Sequence, residues 1–139
     1  LFLYSHPGLG KTHLLNAIGN KAKETNPNLL VRYITSKDFV DEIINSIKTN
    51  TTDEIYSYYR NLDILLIDEI LSVGDEHFQN KCFKKMLELK KQGKTMVFVT
   101  HSMESVKRLC DRTIWLYNGK IRMDGDTKEV VEEYVKETR

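Results

Sequence analysis

The chain has 139 residues, 40% of them hydrophobic and 9% aromatic, with 21 Lys and Arg against 20 Asp and Glu for a formal net charge of +1. That composition describes one globular domain able to bury a core and excludes disordered, fibrous and membrane-embedded classes. Charges so nearly balanced give no electrostatic case for a nucleic-acid or membrane partner. No apolar run reaches the roughly 20 residues of a membrane-spanning helix, and no secretory leader precedes the first element. The chain opens without methionine, directly in an apolar run, as a trimmed or excerpted chain would. Cys82 and Cys110 lack metal-ligand spacing, fall in stretches of helical pattern and read as reduced core thiols, which fits a cytoplasmic setting.

Apolar runs of strand length alternate with segments of helical period, the mark of βαβ units and a mostly parallel sheet covered by helices. Residues 1–4 read as the first strand. A helix follows over 11–23, with Leu14, Leu15, Ala17, Ile18 and Ala22 at core-facing spacing. Residues 29–34 are the second strand, and Ser36 and Asp38 are candidate caps for a helix showing Phe39, Val40, Ile43, Ile44 and Ile47. Asn50-Thr51-Thr52 breaks that pattern before a short helix over 53–59, and 64–67 form the third strand. Phe78, Cys82, Phe83, Met86 and Leu87 define the next helix face, ended by Gly93. After a fourth strand at 95–99, Met103, Val106, Leu109 and Cys110 mark a further helix, and 113–117 is the fifth strand. Asn118-Gly119 turns the chain into a short hairpin strand at 120–123. Asp126 or Thr127 starts a last helix whose apolar residues are Val130, Val131, Tyr134 and Val135. The expected fold is a single α/β domain over 1–139, a three-layer α/β/α sandwich with a C-terminal hairpin strand.

The segment Ser5-His6-Pro7-Gly8-Leu9-Gly10-Lys11-Thr12 lies between a strand and a helix, the context that a phosphate-binding Walker A loop requires. In such a loop backbone N–H groups and the helix N-terminus surround the β-phosphate of a nucleoside triphosphate. Lys11 bridges the β- and γ-phosphates, and the Thr12 hydroxyl ligates Mg²⁺. Pro7, Gly8, Leu9, Gly10, Lys11, Thr12 and His13 are the candidate nucleotide-binding residues. The pattern asks for glycine where Ser5 stands, and a β-carbon strains the loop if that position needs positive φ. The competing structural reading is a Gly-Pro turn that ends in Gly-Lys-Thr by chance.

Ile64-Leu65-Leu66-Ile67-Asp68-Glu69 delivers two carboxylates to the end of a buried strand, as a Walker B segment does. Asp68 would hold Mg²⁺ through water alongside Thr12, and Glu69 would polarise an attacking water as general base. Alone, this segment reads more simply as a strand followed by two solvated acids; its place after the phosphate loop favours the catalytic reading. Val97-Phe98-Val99-Thr100-His101 ends another buried strand in two polar side chains, which puts Thr100 or His101 near the γ-phosphate if this strand lies between the other two. His101 is the candidate γ-phosphate sensor, with a capping or surface histidine as the alternative. Asp75 reads first as the cap of the helix through Phe78.

Two family resemblances meet within these motifs. Gly8-Leu9-Gly10-Lys11-Thr12-His13-Leu14-Leu15-Asn16-Ala17-Ile18-Gly19-Asn20, Val31-Arg32-Tyr33-Ile34-Thr35-Ser36 and Phe39-Val40 resemble the AAA+ domain of the bacterial replication initiator DnaA. Leu66-Ile67-Asp68-Glu69, Leu71-Ser72-Val73-Gly74-Asp75, Thr100-His101-Ser102-Met103, Arg108-Leu109-Cys110-Asp111-Arg112, Asn118-Gly119-Lys120 and Asp124-Gly125-Asp126 resemble the ATPase subunit of polysaccharide-exporting ABC transporters. The join falls inside the Asp68 strand, with 1–68 the initiator-like half and 69–139 the ABC-ATPase-like half. The resemblance implies ATP as the nucleotide, Glu69 as the catalytic carboxylate, Asp75 in the D-loop and His101 as the switch histidine. It also implies a sheet of order 5-1-4-3-2, shared by both families.

In the ABC family a signature motif and Q-loop precede the Walker B segment, and initiator-like sequence stands in their place here. The family's head-to-tail ATP sandwich and transport are therefore not expected. The initiator's helical lid, arginine finger and DNA-binding helix-turn-helix would lie beyond the join, so replication initiation is not expected either. Residues 37–60 correspond to an initiator insertion that touches single-stranded DNA in that family. Lys37, Lys48 and Arg60 are scattered, which argues against a nucleic-acid partner. The expectation is an ATP- and Mg²⁺-binding P-loop core, at most a weak ATPase, with no membrane partner and its oligomeric state open. The two-family pattern reads as an engineered chimera, a natural chain with this join being the alternative. A folded scaffold that binds no nucleotide and a remnant that binds single-stranded DNA are the competing functions.

Overall fold

The computed structural model describes residues 2–4, 10–68 and 76–139. In chain order the elements are β1 (Phe2–Tyr4), α1 (Lys11–Thr25), β2 (Val31–Thr35), α2 (Ser36–Lys48), α3 (Thr52–Arg60), β3 (Ile64–Asp68), α4 (Glu76–Lys91), β4 (Thr95–Thr100), α5 (Met103–Leu109), β5 (Arg112–Tyr117), β6 (Lys120–Asp126) and α6 (Thr127–Thr138). They form one sheet of order β2-β3-β4-β1-β5-β6. Neighbouring strands from β2 to β5 are parallel, and β6 returns antiparallel to β5. The return is made at Asn118-Gly119, where φ is 48° and 73°, the left-handed pair a two-residue hairpin turn requires.

Topology decides which helices cover which face. The β1-to-β2 connection crosses the sheet in one direction, while β2 to β3, β3 to β4 and β4 to β5 all advance in the other. Parallel crossovers are right-handed because twisted strands and right-handed helices pack back onto a sheet only that way. The rule sends α1 to one face and α2 to α5 to the opposite face. The cores agree: Leu15 buries with Leu66, Val97, Val99 and Ile114 beneath α1. Ile34, Leu65, Ile67, Met96, Phe98 and Trp115 project the other way, onto Phe39, Val40, Ile43, Met86, Leu89, Val106 and Val130. Alternate residues of β3 thus serve different layers, as the period of two demands, and the four apolar residues before Asp68 read as continuous because both faces are covered.

Several expected details shift. β2 begins at Val31, since the Leu30 carbonyl accepts from Asp63 and Ile64 N–H outside the ladder and Leu30 is exposed. β6 extends to Asp126, past residue 123. α2 is capped by Thr35, whose hydroxyl accepts from Asp38 N–H at 3.2 Å, and not by Ser36 or Asp38; Ser36 is the first helical residue and is buried. Ala17 is exposed, and so is Ile47, which lies past the stripe that α2 buries. Cys110 is not helical: it is the extended residue that ends α5, half-buried, while Cys82 is buried in α4, and both are free thiols. Asp126 caps α6, its side chain accepting from Lys128 N–H at 2.9 Å.

Candidate functional site

Parallel strands bring their C-terminal ends to one edge, and the register sets the depth of each residue there. Asp68 pairs with Thr35 on one side and Val99 on the other, and Leu3 pairs with Val99. By alternation Asp68 shares the face of Leu66, beneath α1. At the start of that helix Gly10 has φ 83°, ψ 22°, a left-handed conformation that a side chain disfavours. Among the described residues, a β-carbon at Gly10 would meet nothing within 4 Å. Its carbonyl accepts from Leu14 N–H at 2.9 Å, which starts the helix. Lys11 is the first residue of α1 and is buried, while Thr12 and His13 are exposed.

The helix start and the strand end meet in one hydrogen bond: Thr12 Oγ1 donates to Asp68 Oδ2 at 2.6 Å. Because the hydroxyl proton is committed to the carboxylate, the lone pairs of Thr12 Oγ1 remain for a ligand on the open side. The Tyr33 hydroxyl, from β2, donates to the same Oδ2 at 2.7 Å. Asp68 is 7% exposed, and its Oδ1 is buried with no hydrogen-bond partner among the described residues. Buried carboxylate oxygens are rarely left so, and a cation or its bound water is a partner that this oxygen would accept. A carboxylate and a hydroxyl are hard oxygen donors, the kind Mg²⁺ takes with water completing its shell. The residues present therefore fit a Mg²⁺ site.

Thr12 and Asp68, 56 positions apart, are thus brought together as their pairing in sequence predicts. Thr100 is 1% exposed, shares the Phe98 face by alternation, and its hydroxyl accepts from Ser102 N–H at 3.1 Å. It shapes the turn after β4. His101 occupies that turn, exposed, and the structure does not join it to Thr12 or Asp68. Pro7, Gly8, Leu9, Glu69 and Asp75, together with Ser5, lie outside the described residues.

Tyr33 was not singled out from sequence. Its backbone pairs with Leu66, one alternation before Asp68, so the reach of a phenol along the strand carries the hydroxyl to the carboxylate. The strand is held from its other face. Arg32 forks onto Glu42 of α2, with Nη1 to Oε2 at 3.1 Å and Nη2 on Oε1, and the buried Tyr59 of α3 donates to Glu42 Oε2 at 2.6 Å. Burial, reinforced by the bond to Glu42, raises the Tyr59 phenol far above its ordinary pKa, so it stays a donor at any physiological pH.

Comparison with known proteins places this geometry. The model of the bacterial DnaA ATPase domain matches residues 1–118. A teichoic acids export ATP-binding protein, TagH, of Listeria innocua is 40% identical over 121 residues, covering 84% of this chain and 36% of the relative. The chromosomal replication initiator protein DnaA of Limosilactobacillus reuteri is 41% identical over 116 residues, covering 82% of this chain and 26% of the relative. Among solved structures, AMPPCP-bound DnaA from Aquifex aeolicus superposes with a TM-score of 0.67 at 26% identity, over 99% of this chain and 45% of that one. The chain spans about a quarter to about a third of the length of these curated relatives. Resemblance to an initiator and to an export ATPase coexists in one α/β ATPase-like domain, and the family whose model spans most of it is decisive: the chain belongs to the bacterial DnaA ATPase domain family.

Proposed function

We propose that this domain binds ATP with Mg²⁺ at the C-terminal edge of its sheet and hydrolyses it weakly or not at all. The observation that carries this reading is the Thr12–Asp68 bond beside a buried Asp68 Oδ1 that has no hydrogen-bond partner among the described residues. Lys11 and the N–H groups at the start of α1 would hold the phosphates, with Pro7, Gly8, Leu9, Gly10 and His13 completing the loop around them. Thr12 and Asp68 would hold Mg²⁺, which when bound neutralises phosphate charge and orients the terminal phosphoryl group. Glu69 follows Asp68 directly and is the group we assign to polarising water, with His101 as the sensor of the terminal phosphate. An AMPPCP-bound DnaA among the structural neighbours supports an adenine nucleotide.

Weak turnover follows from what separates β2 from β3. That stretch is occupied by α2 and α3, where the export ATPases would place the signature loop that completes a neighbour's site. We read the chain as a chimera of the two families, joined at residue 68 and engineered. Recovery of an uninterrupted reading frame for residues 1–139 from a bacterial genome would overturn the engineered origin.

Calorimetric titration with Mg²⁺·ATP tests the function. Micromolar binding that Lys11→Ala abolishes is the expected result; a folded protein that binds nothing, or a Lys11→Ala variant that binds as well, refutes it. A labelled single-stranded oligonucleotide bound in a salt-sensitive manner with ATP present would favour the DNA-binding alternative, which one neighbour's complex with single-stranded DNA motivates.

A further inference from the structure

We propose that Tyr33 is a positioning residue for the divalent cation, acting through Asp68. The inference rests on the ATP·Mg²⁺ reading above and deepens it. Two hydroxyl protons go to one oxygen: Thr12 Oγ1 and the Tyr33 phenol each donate to Asp68 Oδ2, at 2.6 and 2.7 Å. Two donors on one oxygen fix the rotation of the carboxylate and leave Oδ1 as the oxygen that faces a cation or its water shell. Thr12 alone cannot do this. It stands on α1, a helix that meets the sheet by packing, whereas Tyr33 stands on the strand hydrogen-bonded to the one that carries Asp68. Tyr33 therefore ties the carboxylate to the sheet itself, and the Arg32–Glu42–Tyr59 cluster anchors the neighbouring residue of β2 to α2 and α3.

On this proposal the phenol acts on the carboxylate and not on the nucleotide. Its effect should appear only when the cation takes part in binding, which separates positioning from ordinary packing. Outer partners of metal ligands commonly change metal affinity by about 10–100-fold when removed. Tyr33→Phe keeps the ring and deletes the hydroxyl alone.

The test is calorimetric titration of wild type and Tyr33→Phe with ATP, once with excess Mg²⁺ and once with EDTA. The expected result is a loss of about tenfold in affinity for Mg²⁺·ATP, with metal-free ATP binding unchanged within about a factor of two. Equal losses in both arms mean a structural role, and no loss in either means the hydrogen bond is incidental; each overturns the proposal. If wild type prefers ATP with Mg²⁺ and the variant keeps that preference in full, only the Tyr33 assignment falls. If wild type binds ATP equally in both arms, or not at all, the cation reading of the site falls and Tyr33 falls with it.

Discussion

Gly19→Ala should destabilise the domain even though alanine is the better helix former. Gly19 is buried against the sheet: a β-carbon there would sit 2.7 Å from Leu66 Cδ1 and 3.6 Å from Val31 Cγ1. Carbon atoms prefer about 3.5–4.0 Å, so the new methyl overlaps Leu66 by about 1 Å. Leu66 is buried with Leu15, Val97 and Val99 packed around it, so its Cδ1 has little room to swing away. Helix propensity alone would favour alanine by about 1 kcal/mol. Overpacking a filled core costs about 1–3 kcal/mol. The net expectation is a loss of about 1 kcal/mol, read as a fall of about 3–5 °C in Tm. Urea denaturation should show a lower midpoint with unchanged slope. Leu66→Val removes the obstructing carbon, so in that background Gly19→Ala should become neutral or stabilising. A Gly19→Ala variant as stable as wild type would refute the argument and show that α1 rides on the sheet with slack. Thr12 lies about 10 Å along the helix from Gly19, so a lifted α1 should also weaken Mg²⁺·ATP binding through the Thr12–Asp68 bond.

Three further outcomes are expected. Asp68→Asn should lower Mg²⁺·ATP affinity at least about tenfold yet leave the metal-free protein as stable as wild type or more so, because it removes a charge whose Oδ1 lacks a partner among the described residues; a metal-free melt that falls sharply would contradict this. Tyr59→Phe should cost about 1–3 kcal/mol by leaving a Glu42 carboxylate without its buried donor, measured by chemical denaturation; no change would show the bond is replaced by water. Burial pushes the Cys110 thiol up to about 11, from a free-thiol value near about 8.5. Since folding favours the protonated form, its stabilising effect is complete below the unfolded value and declines as pH rises towards about 11. Iodoacetamide should accordingly label Cys110 slowly at about pH 8, and labelling as fast as a free thiol would show the residue is solvated.

The alternation of strand and helix was legible because its cause is local: both faces of β3 and β4 are covered, so each reads as an unbroken apolar run. The nearness of Thr12 and Asp68 was also legible, since the motifs place them at the start of a helix and the end of a strand that open on one edge. Tyr33 was not. Its role depends on β2 pairing with β3 so that Tyr33 faces Leu66, and cross-strand register is not written in the residues of either strand alone. Thr35 escaped notice as the cap of α2 because it also ends β2, and strand propensity masked its second use. Thr100 carried an expectation that the pleat reverses: one residue after Val99, it belongs to the opposite layer. Ile47 fits the helical spacing but is exposed, directly after Ser46, the last buried residue of α2.

β3 has a separate partner on each edge, with Asp68 opposite Thr35 in β2 and opposite Val99 in β4. A slip of one residue along either ladder would hand its Asp68 position to Ile67 and turn the carboxylate away from α1 into the opposite layer, among α2 to α5. β3 thus has to satisfy two alignments at once, one on each edge. Exchange at this strand is therefore a question of phase: Asp68 keeps its place beside Thr12 only when the segments on either side of β3 count residues from the same sheet edge, and loses that place when they differ by one.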